Sequence, residues 1–105
     1  MSKLDQNKTP LFTVLKDEYV RRNILPFHVP GHKRGKGVDK EFFNFMGEAP
    51  FSIDVTIFKM VDGLHHPKSC IKEAQELLAD AYGVKHSFFA VNGTSGAIQA
   101  MIMSV

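Results

Sequence analysis

Two clusters of residues in this 105-residue chain could do chemistry. The first is Asn92-Gly93-Thr94-Ser95-Gly96, set between apolar runs at residues 87–91 and 97–103. Read as strand, glycine-rich turn and helix, it offers backbone N–H groups and the hydroxyls of Thr94 and Ser95 at the positive end of a helix, which suits a phosphate. Asn-Gly is also a hairpin signal. However, Ala97, Ile98, Ala100, Met101, Ile102 and Met103, interrupted only by Gln99, lack strand alternation and favour a buried helix capped by Thr94 or Ser95. Local chemistry leaves two readings of the turn open: an anion cradle, and a capped helix that binds nothing.

The second cluster is the loop PFHVPGHKRGKG, Pro26 to Gly37, which carries His28, Pro30, Gly31, His32 and Lys33. Its prolines and glycines forbid regular helix. Imidazole and ammonium groups on such a loop would suit an acidic ligand near an active site; the alternative is an exposed basic loop. A nucleotide-binding P-loop needs a longer spacing before its Gly-Lys pair, then serine or threonine. Here three residues separate Gly31 from Gly35, and Gly37 follows Lys36, so that reading fails. His28 and His32 have zinc-ligand spacing for a helix, but Pro30 and Gly31 break it, and no metal site is expected.

Bulk properties narrow the classes. The net charge of +2, with only Lys33, Arg34 and Lys36 clustered, argues against a nucleic-acid partner. The lone Cys70 cannot form an intramolecular disulfide and has no dedicated base nearby in sequence, so an inert thiol is expected. No apolar stretch is long enough to span a bilayer, and none stands behind the charged start, so a cytoplasmic protein without a membrane partner is expected.

The elements that must position these clusters follow from periodicity. Residues 1–8 are polar and expected to fray. Thr9-Pro10 opens a helix running to about Arg22, with Leu11, Val14, Leu15 and Tyr19 on one face. A short helix from Asp39 to Met46 stops at Gly47, and the crowded Phe42, Phe43, Phe45 and Phe51 read as packing residues. Ser52 to Thr56 reads as extended and Asp62-Gly63 as a turn. A further helix begins at Ser69, with Ile71, Ala74, Leu77, Leu78 and Ala81 inward, and Gly83 ends it. The expectation is a helix-rich α/β chain with one strand, Ser87 to Val91, and two segments: 1–50, a helical arm with the Pro/Gly loop, and 51–105, the start of an incomplete domain.

Three segments in this order, PFHVPGHKRG, the stretch from Asp54 through DGLHHP to IKEAQELLADAYGV, and HSFFAVNGTSGAIQAM, resemble the beginning of the major domain of the bacterial ornithine/lysine/arginine decarboxylases, most closely the compact arginine decarboxylase branch. One departure stands at Pro67-Lys68-Ser69-Cys70, where many relatives carry a glycine before the isoleucine corresponding to Ile71. The resemblance implies an aspartate-aminotransferase type of fold (fold type I) that binds pyridoxal phosphate, in dimers or larger homo-oligomers. It implies a carbon–carbon lyase that decarboxylates a basic amino acid in polyamine-type metabolism, and Gly93, Thr94, Ser95 and Gly96 as the grip on the cofactor phosphate. The family's Schiff-base lysine, its aspartate for the pyridinium nitrogen and its ring-stacking histidine correspond to positions beyond residue 105. The chain therefore reads as an N-terminal fragment with the phosphate half-site, no catalytic residue and no activity of its own. The amino acid preferred is not encoded in this stretch. The alternative is a stand-alone, non-catalytic module that binds an anion or a partner.

Overall fold

The computed structural model describes residues 3–57 and 59–105. The chain forms two compact units, one of residues Asn7–Ala74 and one joining Met1–Gln6 to Gln75–Val105.

In the first unit, α1 is a single turn, Pro10–Thr13, with proline at its first position. Thr9 sits at the cap position, but its hydroxyl meets Thr13 Oγ1 at 3.1 Å and caps no backbone N–H. The chain then widens into a π-helical segment, Val14–Val20, instead of the uninterrupted α-helix that the spacing predicts. The inward face is the expected one: Tyr19 is wholly buried, and Leu11, Val14 and Leu15 are half-buried. An apolar stripe specifies which residues turn inward, and both helix types can satisfy it over so short a run.

Helix α2, Lys40–Met46, starts where expected because the Asp39 carboxylate accepts the N–H groups of Glu41 and Phe42 at 3.0 and 3.1 Å. Gly47, with φ of +75°, ends it. Helix α3, Glu48–Ile53, follows at once and takes in the start of the stretch read as extended. It delivers the buried Phe51, on which Phe43 stacks at 5.4 Å and Phe42 packs edge-on at 6.1 Å. Phe45 is exposed and takes no part. The buried Gly35 closes this cluster: with φ of +87°, a Cβ there would lie 2.3 Å from the Phe43 ring.

Helix α4, Cys70–Tyr82, is the longest and begins in this unit. Its start is organised by Asp62, which has φ of +73° and accepts N–H groups from Gly63, Lys68, Ser69 and Ile71 at 2.8 to 3.1 Å. Burial pushes the Asp62 carboxyl up, but the backbone donors Lys68, Ser69, Gly63 and Ile71 outweigh it and hold the group well below the usual carboxylate range. Cys70 is buried and donates to the Val61 carbonyl at 3.2 Å. Burial, then the nearby Asp62 charge, push its thiol up, which keeps it unreactive.

In the second unit, α4 ends as the sequence predicts. Gly83, with φ of +64°, donates to Asp80 and Val84 donates to Ala79, so the last carbonyls are satisfied by a Schellman turn. Residues 3–6 are not frayed: Asp80 accepts the N–H groups of Lys3 and Leu4 at 2.9 to 3.0 Å and the Gln6 amide at 3.0 Å. Ser87 Oγ donates to the Gln75 carbonyl at 2.6 Å.

The expected strand at Ser87 to Val91 is not formed, and no strand is present among the described residues. An extended apolar run becomes a strand only when a neighbour completes its hydrogen-bond ladder. Helix α5, Gly93–Met103, forms as expected but is not buried: Ile98, Met101, Ile102 and Met103 are exposed.

Asp62→Ala is expected to cost about 0.5–2 kcal/mol of α4 stability, read as lost helical circular dichroism and lost amide protection at Ser69 and Ile71. Because the folded Asp62 carboxyl titrates lower than the unfolded one, its contribution is full above about pH 4 and lost as pH falls further. The Asp62→Ala chain should lose this acid dependence. Gly35→Ala combines a disfavoured φ with a ring clash and should destabilise the first unit by about 1–3 kcal/mol in denaturant titrations.

Candidate functional site

The Pro/Gly loop belongs to the first unit and is bonded inward. His28 Nδ1 lies 2.5 Å from the Val29 carbonyl, which can only accept, so this nitrogen carries the proton. In the neutral ring Nε2 is then the acceptor for the Tyr19 hydroxyl at 2.9 Å. Lys33 Nζ donates to the His28 carbonyl. His32 has the opposite tautomer: Gly35 N–H donates to its Nδ1 at 3.1 Å, and Nε2 faces Asp54 Oδ2 at 3.1 Å as donor. The edge of its ring rests on Phe51, 5.4 Å between centroids. Both nitrogens of each imidazole are therefore engaged within the chain. Pro30 follows Val29 in a cis peptide bond, and a Cβ at Gly31 would meet nothing within 4 Å.

Three participants, Arg34, Tyr19 and Asp54, were not read as site residues from sequence. Arg34 lies 5.0 Å over the Tyr19 ring and donates from Nη1 to Asn23 Oδ1 at 2.9 Å. Its Nε and Nη2 are buried without an acceptor. Asp54, 22 residues from His32, is the third. Tyr19 carries a local signal, as the aromatic on the apolar stripe, whereas the partners of Arg34 and Asp54 depend on how distant segments fold together. A cleft of about 250 Å³ runs along the outside of the loop, lined by Leu25, Pro26, Phe27, Lys33 and Lys36. Among the described residues, no group of three or more histidines, cysteines or carboxylates is placed to hold a metal ion.

The glycine turn belongs to the second unit and faces outward. Helix α5 begins at Gly93, two residues earlier than a Thr94 cap would require, with Asn92 at the cap position and no side-chain cap bond. Thr94 and Ser95 are therefore in the first turn, not at the cap, and both are exposed. The first-turn N–H groups have no acceptor inside the helix. Gly93 has φ of +71°, and a Cβ on Gly96 would meet Asn92 Cβ at 2.9 Å, so glycine is required at both positions. Uncapped N–H groups, two exposed hydroxyls and a glycine-shaped backbone fit a phosphate group.

Residues 9–105 match the family model for the Orn/Lys/Arg decarboxylase major domain. The chain belongs to this family. It is 52% identical over 105 residues to an arginine decarboxylase of Bacillus anthracis, covering 100% of this chain and 21% of the relative. It is 50% identical over 102 residues to an arginine decarboxylase of Bacillus subtilis, covering 97% and 21%. Similarity to the constitutive ornithine decarboxylase of Escherichia coli is lower, 32% over 100 residues, covering 89% and 14%. The chain thus spans about a fifth of the length of the arginine decarboxylases it matches. No solved structure matches it.

Tyr19→Phe removes the hydroxyl that pairs with His28 and should cost about 0.5–1.5 kcal/mol. Chemical denaturation checks the size, and the His28 ring nitrogen shifts in NMR spectra check the partner.

Proposed function

We propose that this chain is the N-terminal part of a pyridoxal-phosphate-dependent decarboxylase acting on arginine. The observation that carries the reading is the uncapped Gly93–Gly96 turn at the start of α5, within a chain about half identical to proteins named arginine decarboxylase. Proteins named for ornithine and lysine stand at 32% and 33%, which supports arginine over the other two.

Gly93, Thr94, Ser95 and Gly96 would hold the cofactor phosphate, with N–H groups and hydroxyls donating to its oxygens. Pyridoxal phosphate, when bound, supplies the electron sink that takes up charge as carbon dioxide leaves. The residues here anchor and orient; none is assigned to the bond-breaking step. The fold proposed is the α/β aspartate-aminotransferase type, in which Ser87 to Val91 would complete its ladder against neighbouring strands. A homo-oligomer, a cytoplasmic setting and a role in polyamine-type metabolism come with the family and are part of the proposal.

The test uses the product of the complete reading frame, whatever its length. Expected results are visible absorbance from bound pyridoxal phosphate and release of carbon dioxide from arginine in preference to lysine and ornithine. The 105-residue chain alone should release none. Replacing Thr94 by Val and Ser95 by Ala removes two charge-assisted hydrogen bonds and should weaken cofactor binding about 10- to 100-fold. A complete product that binds inorganic phosphate but shows no pyridoxal-dependent absorbance would instead support a non-catalytic anion-binding module.

A further inference from the structure

We propose that the His32 imidazole is an acid-sensitive latch on the basic loop. Lys33, Arg34 and Gly35 are consecutive left-handed residues, with φ of +48°, +59° and +87°. Side-chain-bearing residues disfavour this backbone and keep it only where the surroundings impose it. His32 imposes it twice: its ring Nδ1 accepts Gly35 N–H, and its carbonyl accepts Gly37 N–H, both at 3.1 Å.

The first of these bonds depends on protonation. Nδ1 accepts only while it carries no proton, and Nε2 donates to Asp54. A doubly protonated ring has no acceptor left, so the N–H of the buried Gly35 would face another donor. Asp54 is the charged group facing the ring and favours the protonated form, but its side chain is 58% exposed, so its attraction is screened. Phe51, on the other side, carries no charge. Lys33 and Arg34, on the same turn, are positive and oppose further positive charge.

Acidification that places a second proton on the ring therefore releases the turn, and the window to follow runs from about pH 8 to about pH 5. The Lys33 contact with His28 and the Arg34 stack on Tyr19 are released with it, and the loop becomes mobile. This inference concerns the first unit alone and stands independently of the decarboxylase reading.

NMR of the ¹⁵N-labelled 105-residue chain tests it. At the alkaline end the His32 ring should show the Nε2–H tautomer. On acidification, exchange of the Gly35 amide, corrected for its intrinsic pH dependence, should rise about tenfold or more, while the Ser69 amide held by Asp62 stays protected. His32→Asn should leave Gly35 exchange independent of pH over this range. Asp54→Asn removes the charge that favours protonation, so release should move to lower pH; this variant keeps the test decisive if the His32 variant does not fold. An Nδ1–H tautomer at alkaline pH, simultaneous loss of Gly35 and Ser69 protection, or no shift on Asp54→Asn would overturn the proposal.

Discussion

The Asp62 carboxylate is the interaction on which most of this structure depends. A helix start leaves several N–H groups without acceptors, and at α4 the Asp62 carboxylate supplies acceptors for them. Asp62 takes the N–H groups of Gly63, Lys68, Ser69 and Ile71 into one carboxylate and accepts a left-handed backbone to do so. Residues of both units lie on the helix that results. In the first unit Cys70 is buried beneath Val61, and Lys8 meets Glu73 at 3.3 Å. In the second, Asp80 holds residues 3–6 and the Gln75 carbonyl takes Ser87.

The two chemistry-bearing clusters use their polar groups in opposite ways. The Pro/Gly loop bonds them inward: the histidines pair with Tyr19, Val29, Gly35 and Asp54, and Lys33 and Arg34 close over the same segment. Such a network fixes backbone shape, and the imidazoles act as struts. The glycine turn leaves its donors outward, with no side chain capping α5. Preorganised, outward-facing donors are what an anion site needs, and the turn, unlike the loop, leaves its donors so disposed.

The second unit leaves much apolar surface exposed, including Phe88 at 82% and Met103 at 85%. Its buried residues are few, Leu77 and Ala79 on α4. The arginine decarboxylases that the chain matches are about five times as long, and α5 and the run before it keep large apolar side chains exposed.

What the sequence determined by itself was local. Pro10, Asp39, Gly47 and Gly83 act through their own dihedral preferences and hydrogen-bonding groups, so two helix starts and two helix ends were readable in place. The glycine spacing and hydroxyls of residues 93–96 were equally legible, because they are properties of consecutive residues. Tertiary structure decided the rest. Whether residues 87–91 become a strand depends on a neighbour's hydrogen bonds, and whether residues 3–6 fray depends on Asp80, more than 70 residues away. The tautomer and task of His32 were set by Asp54 and Gly35, and those of His28 by Tyr19. A side chain's chemistry is written in the sequence, but its free lone pairs and protons are known only once its partners are in place.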